Sequence, residues 1–302
     1  MERVLPFLFL LAAGNILRRI PLFPADTDRS LNLYVIYVAL PALILVQAPK
    51  LAFTAELLAP VLMAWLAVLC SSLLVFGVSR LCAWPRAITG SLLLMVPLGN
   101  TAFLGIPMVE LFYGGSGLTY AILYDQFGSF LALSTYGAVI LALYSDGERP
   151  TPGRIAARIV LFPPFIALAA ALVLRGASYP PWAAMLLQMT ADSLVPVVMV
   201  AIGFQLRLRM VSAERLPLLF GLTARLLLTP LLFIAACMLL GLTGSAIQVS
   251  LFETAMPPMV AAGALASMAG LSPRLSSAMV GYGILASFMT LPLLYRLIAF
   301  LD

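Results

Sequence analysis

Apolar residues run along the chain in long blocks, and polar residues gather in short gaps between those blocks. A helix needs about 20 predominantly apolar residues to cross roughly 30 Å of hydrocarbon. Ten blocks approach or exceed that length, at about 4–20, 31–49, 57–82, 86–113, 118–144, 155–175, 181–206, 215–241, 246–270 and 274–300. The pattern predicts an all-α integral membrane protein with ten transmembrane helices, and it leaves little chain for a soluble domain.

Two of the blocks carry helix breakers at their own centres. The fourth contains "GNTAFLGIP" at 99–107, and the ninth contains "ETAMPPMVAAGA" at 253–264. Proline removes a backbone donor and clashes with the preceding turn, and glycine relaxes the usual steric limits. Polar backbone is thereby released at membrane depth, where lipid offers it no partner. Such a break persists where protein, water or a ligand meets its hydrogen bonds, and the N-terminus of the second half-helix favours an anion there.

The most polar stretch, "SDGERPTPGR" at 145–154, falls at the midpoint and divides the blocks five and five. The expected organisation is a first five-helix repeat over 1–144, a connecting loop over 145–154 and a second repeat over 155–302. Landmarks recur across the divide: Pro6 and Pro163 are 157 residues apart, Pro41 and Pro196 are 155 apart, and Asn100 and Pro257 are 157 apart. Because five is odd, the second copy starts on the opposite face of the membrane, and an inverted repeat of this kind marks secondary transporters. The competing reading is that prolines are common in membrane helices and three rough coincidences of spacing carry little.

Composition agrees with the block pattern: 63% of residues are hydrophobic, 10% are charged, and the mean hydropathy is +1.09. The net charge of +5 does not point to nucleic acid, because the basic residues are scattered between helices. With the N-terminus outside, the cytoplasmic loops hold Arg18, Arg19, Arg29, Arg80, Arg86, Arg149, Arg154, Arg158, Arg207, Arg209, Arg215 and Arg274. Only Arg3, Lys50, Arg175 and Arg296 fall outside, so the positive-inside rule puts both termini on the outer side of a plasma membrane, a bacterial inner membrane. The first block has a basic start and small residues near Gly14, as a secretory signal would, but Arg18 and Arg19 close it like a membrane anchor. Cys70, Cys82 and Cys237 show no metal-ligand spacing, and the absence of histidine excludes a His-based relay or metal site. No cofactor is expected.

The phrases "YVALPALI", "GNTAFLGIP", "RLLLTPLL" and "ETAMPPMVAAGALA" in the second, fourth, eighth and ninth blocks resemble the auxin efflux carrier family. That family includes the plant auxin exporters and bacterial carriers likened to malonate transporters, and the resemblance spans nearly the whole chain. It implies a ten-helix fold, a 5+5 inverted repeat with broken, crossing helices 4 and 9, similar to the bile acid sodium symporters. Helices 1, 2, 6 and 7 would form a scaffold, and helices 3–5 with 8–10 a moving transport domain. By the same resemblance Asn100 and Thr101 contact a substrate carboxylate beside Gly105, while Pro107, Pro257 and Pro258 shape the crossover. Met256 either contacts an apolar part of the substrate or fills space. A homodimer through the scaffold is also implied. The plant carriers' long insert between helices 5 and 6 is replaced here by about ten residues, so regulation through that loop does not carry over.

A charge at the centre of a membrane helix costs about 2.5–3.5 kcal/mol on insertion scales, so each such group needs a role and a partner. Asp125, Asp192, Arg225 and Glu253 are the four. Asp125 and Glu253 each lie about seven residues, roughly 10 Å, from the outer start of their helices, so they can share one level. With Gln126 and Ser129 nearby in sequence, two carboxylates suit a coupling proton or a sodium ion near Glu253. Alternatively, Glu253 or Asp125 neutralises Arg225 in a buried pair that fixes packing. Asp192, beside Ser193, either lines a watery path or hydrogen-bonds a neighbouring helix.

Together these readings give a secondary active transporter of a small carboxylate, auxin-like or malonate-like, working by elevator-type alternating access at the helix 4/9 crossover. A sodium-coupled organic-anion symporter and an anion channel are the rivals. An intramembrane protease built on Asp125 and Asp192 lacks the surrounding motif, and no enzyme is expected.

Overall fold

The computed structural model describes residues 5–24, 26–47, 57–145, 151–174, 179–205 and 214–301. Helix is the regular secondary structure throughout, and no strand occurs among the described residues. Six helices are long and apolar enough to cross a membrane: Thr27–Gln47, Leu58–Leu81, Gly115–Tyr144, Pro181–Gln205, Arg215–Leu240 and Pro273–Ile298. Shorter apolar helices cover Leu5–Leu17, Arg86–Met95, Thr101–Tyr113 and Pro163–Val173. Of the loop residues used above for orientation, Arg3, Lys50, Arg149, Arg175, Arg207 and Arg209 lie outside the described residues, as do positions 146–150 of the connecting loop.

Fewer than ten uninterrupted spans therefore appear among the described residues, and the divisions have local causes. The sixth block, expected as one helix over 155–175, divides into Pro152–Val160 and Pro163–Val173. Pro163 drives its predecessor out of the helical region, and Phe162 adopts φ −73° and ψ 120°. The fourth block divides at 96–100 and the ninth at 255–259.

Elsewhere proline widens a helix rather than breaking it. The residues just before Pro41, Pro107 and Pro230 are Leu40, Ile106 and Thr229, and each donates its N–H to the carbonyl five residues back, on Val35, Thr101 and Ala224. A proline ring presses on the carbonyl of residue i−4, and one extra residue in the preceding turn relieves that clash. A fourth wide turn, Tyr124–Phe130, holds no proline.

The chain forms two compact units, one drawn from residues 1–53 and 157–206 and the other from 54–156 and 207–302. In the first unit, Leu5–Leu17 packs on Leu194–Gln205. Gly14 abuts the Val200 carbonyl and Gly203 the Leu11 carbonyl, places where any Cβ would collide with backbone. Small residues of this kind let membrane helices pack closely. In the second unit, Arg86–Met95 packs on Val260–Met268 and on Pro273–Ile298. Leu92, Leu94, Met95, Val96 and Leu98 form its core with Ala262, Ala266, Leu275 and Met279. That core fixes the two interrupted helices against each other.

Candidate functional site

The breaks are shorter than the proline- and glycine-rich phrases that announced them. Helix resumes at Thr101, so "TAFLGIP" is helical and the gap is Val96–Asn100; Glu253 and Thr254 still belong to the helix Ser245–Thr254, and the second gap is Ala255–Met259. The two gaps pair with each other. Asn100 N–H donates to the Pro257 carbonyl at 2.8 Å, Met259 N–H donates to the Leu98 carbonyl at 2.9 Å, and Gly99 and Pro258 form an isolated antiparallel bridge. Backbone groups that lipid would leave unmet are satisfied by the other break.

Arg225 completes the pairing. It sits in the wide turn Ala224–Leu228 and is 1% exposed. Its Nε donates to the Met256 carbonyl at 2.7 Å, and its Nη1 donates to the carbonyls of Val96 and Pro97 at 3.1 and 3.2 Å. These carbonyls lie just past the C-terminal ends of Arg86–Met95 and Ser245–Thr254, where a helix dipole presents negative potential. One guanidinium thus caps two half-helices, and its planar fork of donors is what allows a single side chain to do so. A Cβ on Gly99 would overlap the Arg225 Nη2. The hydrogen bonds of Arg225 go to backbone carbonyls rather than to Asp125 or Glu253, although Glu253 lies within its electrostatic reach.

The turns Thr101–Gly105 and Tyr124–Phe130 pack together. Thr101 Oγ1 donates to Asp125 Oδ1 at 2.6 Å, and Gln126 Nε2 donates to Asp125 Oδ2 at 2.7 Å, so both carboxylate oxygens are held. All three side chains are buried.

Glu253 is fully buried against Gly105, where a Cβ would overlap its carboxyl oxygens. Among the described residues neither oxygen has a hydrogen-bond partner, and Gln126 Oε1 and Asn100 Nδ2 are also buried and unpartnered there. Asp125 and Glu253 are close enough to interact electrostatically. Among the described residues no three His, Cys, Asp or Glu side chains gather as a metal cluster.

Met256, Pro257 and Pro258 are buried in the second gap, and Pro258 packs on Gly283. Pro107 is buried in the first turn of Ile106–Tyr113. Asp192 belongs to the first unit, where it is exposed, and its Oδ1 accepts from Gln188 Nε2 at 2.7 Å on its own helix. Neighbouring Ser193 hydrogen-bonds the Tyr34 hydroxyl at 2.7 Å. The role of Gly99 is not evident from the sequence alone; its signal is the Gly-Asn pair at a break facing a helix that carries a buried arginine.

Apolar spans together with interrupted helices whose polar backbone is met inside the protein define a multi-pass membrane protein of the transporter class. The family model described as membrane transport protein matches residues 1–295. An uncharacterized transporter of Methanothermobacter thermautotrophicus is 30% identical over 298 residues, which is 97% of this chain and 96% of that protein. An uncharacterized transporter of Methanocaldococcus jannaschii is 26% identical over 273 residues, 85% of each chain. The chain belongs to the membrane transport protein family, that of the auxin efflux carriers. The family and the names of its relatives indicate transport and not catalysis.

Proposed function

We propose that the protein is a secondary active transporter of a small organic anion, a mono- or dicarboxylate of auxin-like or malonate-like kind, using elevator-type alternating access. The observation that carries this reading is the Asn100 amide, whose Nδ2 is buried without a partner where the two breaks meet. A substrate carboxylate supplies the missing acceptor, and the N-terminal ends of the resumed helices at Thr101 and Val260 add positive potential. Thr101, Gly105, Pro107, Met256, Pro257 and Pro258 are the further substrate contacts in this reading.

In this reading helices 4 and 9 cross within a ten-helix inverted repeat of 1–144 and 155–302. The unit of residues 1–53 and 157–206 is the scaffold, and the unit of 54–156 and 207–302 is the moving domain; the partition of the chain supports that assignment. Both termini face outside a plasma membrane, and two copies associate through the scaffold.

Asp125 and Glu253 couple transport to an ion gradient. With all three groups ionised, Arg225, Asp125 and Glu253 sum to −1 in a buried site, so one proton or one sodium ion makes the set neutral. The unpartnered oxygens of Glu253 and Gln126 favour the sodium-coupled variant, since hard cations take oxygen ligands.

Asn100→Ala should weaken carboxylate-dependent thermal stabilisation by about tenfold or more, the worth of a hydrogen bond to a charged group. An Asn100→Ala protein that binds carboxylates as tightly as wild type would remove the assigned site. Proteoliposome counterflow separates a carrier from an anion channel, because only a carrier accelerates labelled uptake against trapped substrate. Glu253→Gln should lose gradient-driven uptake while keeping exchange; gradient dependence that survives unchanged would make Glu253 a packing residue.

A further inference from the structure

We propose a second anion site, away from the crossover, that takes a phosphate group at the junction of Leu58–Leu81 and Arg86–Met95. A cavity of about 440 Å³ opens there, lined by Ser79, Arg80, Trp84, Arg86, Thr89 and Tyr144 among others. That volume is in the range of small-ligand pockets.

Four observations converge on its chemistry. Two guanidinium groups border the cavity, and no carboxylate lines it among the described residues. Arg80 lies over the Phe76 ring at 5.0 Å and has no ion-pair partner among the described residues, while Arg86 donates from Nη2 to the Leu143 carbonyl and keeps its other N–H groups. The helix Arg86–Met95 begins at the same place with Pro85 at its cap, no side-chain cap and no acidic residue in its first turn, so its leading N–H groups are unmet. Ser79, 4% exposed, has a hydroxyl with no hydrogen-bond partner among the described residues.

Two arginine forks, an uncapped helix N-terminus and an orphaned hydroxyl are the donors that a tetrahedral oxyanion uses. The aromatic wall of Phe76, Trp84 and Tyr144 beside them suits a phosphate that carries an organic substituent. A phospholipid headgroup and a soluble phosphate ester share this chemistry. The site goes beyond the transport reading, because its lining residues lie outside both breaks in the chain.

The test uses the full-length protein in neutral detergent at matched ionic strength, with thermal shift as the readout. Inorganic phosphate, phosphatidylglycerol and phosphatidylcholine are titrated separately. Stabilisation by phosphatidylglycerol alone assigns a lipid headgroup, and stabilisation by inorganic phosphate as well assigns a free phosphate group. In either case Arg80→Gln and Ser79→Ala should raise the half-saturating concentration, by about tenfold for the arginine, and Asn100→Ala should leave it unchanged. The proposal fails if neither inorganic phosphate nor phosphatidylglycerol stabilises the wild-type protein more than phosphatidylcholine does, if Arg80→Gln and Ser79→Ala respond as wild type does, or if Asn100→Ala abolishes the response.

Discussion

Arg225→Met is expected to lower the melting temperature of the purified protein by on the order of 5–10 °C and to abolish uptake. Methionine matches much of the volume of arginine but offers no donor, so the carbonyls of Val96, Pro97 and Met256 lose their partner together. Orphaning a buried acceptor costs about 1–3 kcal/mol in soluble proteins. Interhelical hydrogen bonds in a bilayer average nearer 0.6 kcal/mol because the unfolded chain also finds partners there. Taking the two together gives a loss of about 3 kcal/mol. Arg225→Lys should fall between, since one ammonium cannot fork across both half-helix ends. A methionine variant melting within about 2 °C of wild type would show that other contacts hold the breaks together.

Gly99→Ala and Gly105→Ala are expected to diverge, and the contrast tests the site more sharply than either alone. At Gly99 the new methyl meets a guanidinium pinned by three carbonyls that cannot retreat. Overpacking of that kind costs about 1–3 kcal/mol, so Gly99→Ala should resemble a mild Arg225 defect in stability. At Gly105 the methyl meets the Glu253 carboxyl, the far end of a rotatable side chain with no hydrogen bond to give up. That carboxyl can swing away at little energetic cost. Gly105→Ala should therefore change the melting temperature by less than about 3 °C, yet reduce gradient-driven uptake as strongly as Glu253→Gln does. Equal losses of stability in the two variants would contradict this account.

The helical class and both breaks are legible in the sequence, because apolar block length and the Gly/Pro content of 96–107 and 255–259 act locally. The exact limits of the gaps are not. Proline at position 107 reads as a breaker but stands inside a helix that already resumes at Thr101. The wide turn before it lets the chain absorb the ring, and the same device recurs before Pro41 and Pro230.

The candidate site was legible as residue types and illegible as partnerships. A lone arginine in an apolar helix suggests a carboxylate partner, since carboxylates are visible in a sequence and carbonyls are everywhere. Backbone acceptors become special only once two helices end beside Arg225, and that depends on contacts more than a hundred residues apart. Thr101 and Asp125 both stand out in the sequence, but their bond rests on the packing of two widened turns, which sequence spacing does not encode.

The pairing of the breaks also bears on biosynthesis. The partner of the Pro97 carbonyl lies 128 residues downstream, and at ribosomal speeds of about 5–20 residues per second that interval is roughly 6–25 s. Throughout it the nascent fourth block has bare peptide groups with nothing of its own chain to meet them. Newly made protein therefore has to park this segment against water, lipid headgroups or an insertase until the later helices arrive, and chains halted before residue 225 should be prime targets for membrane quality control.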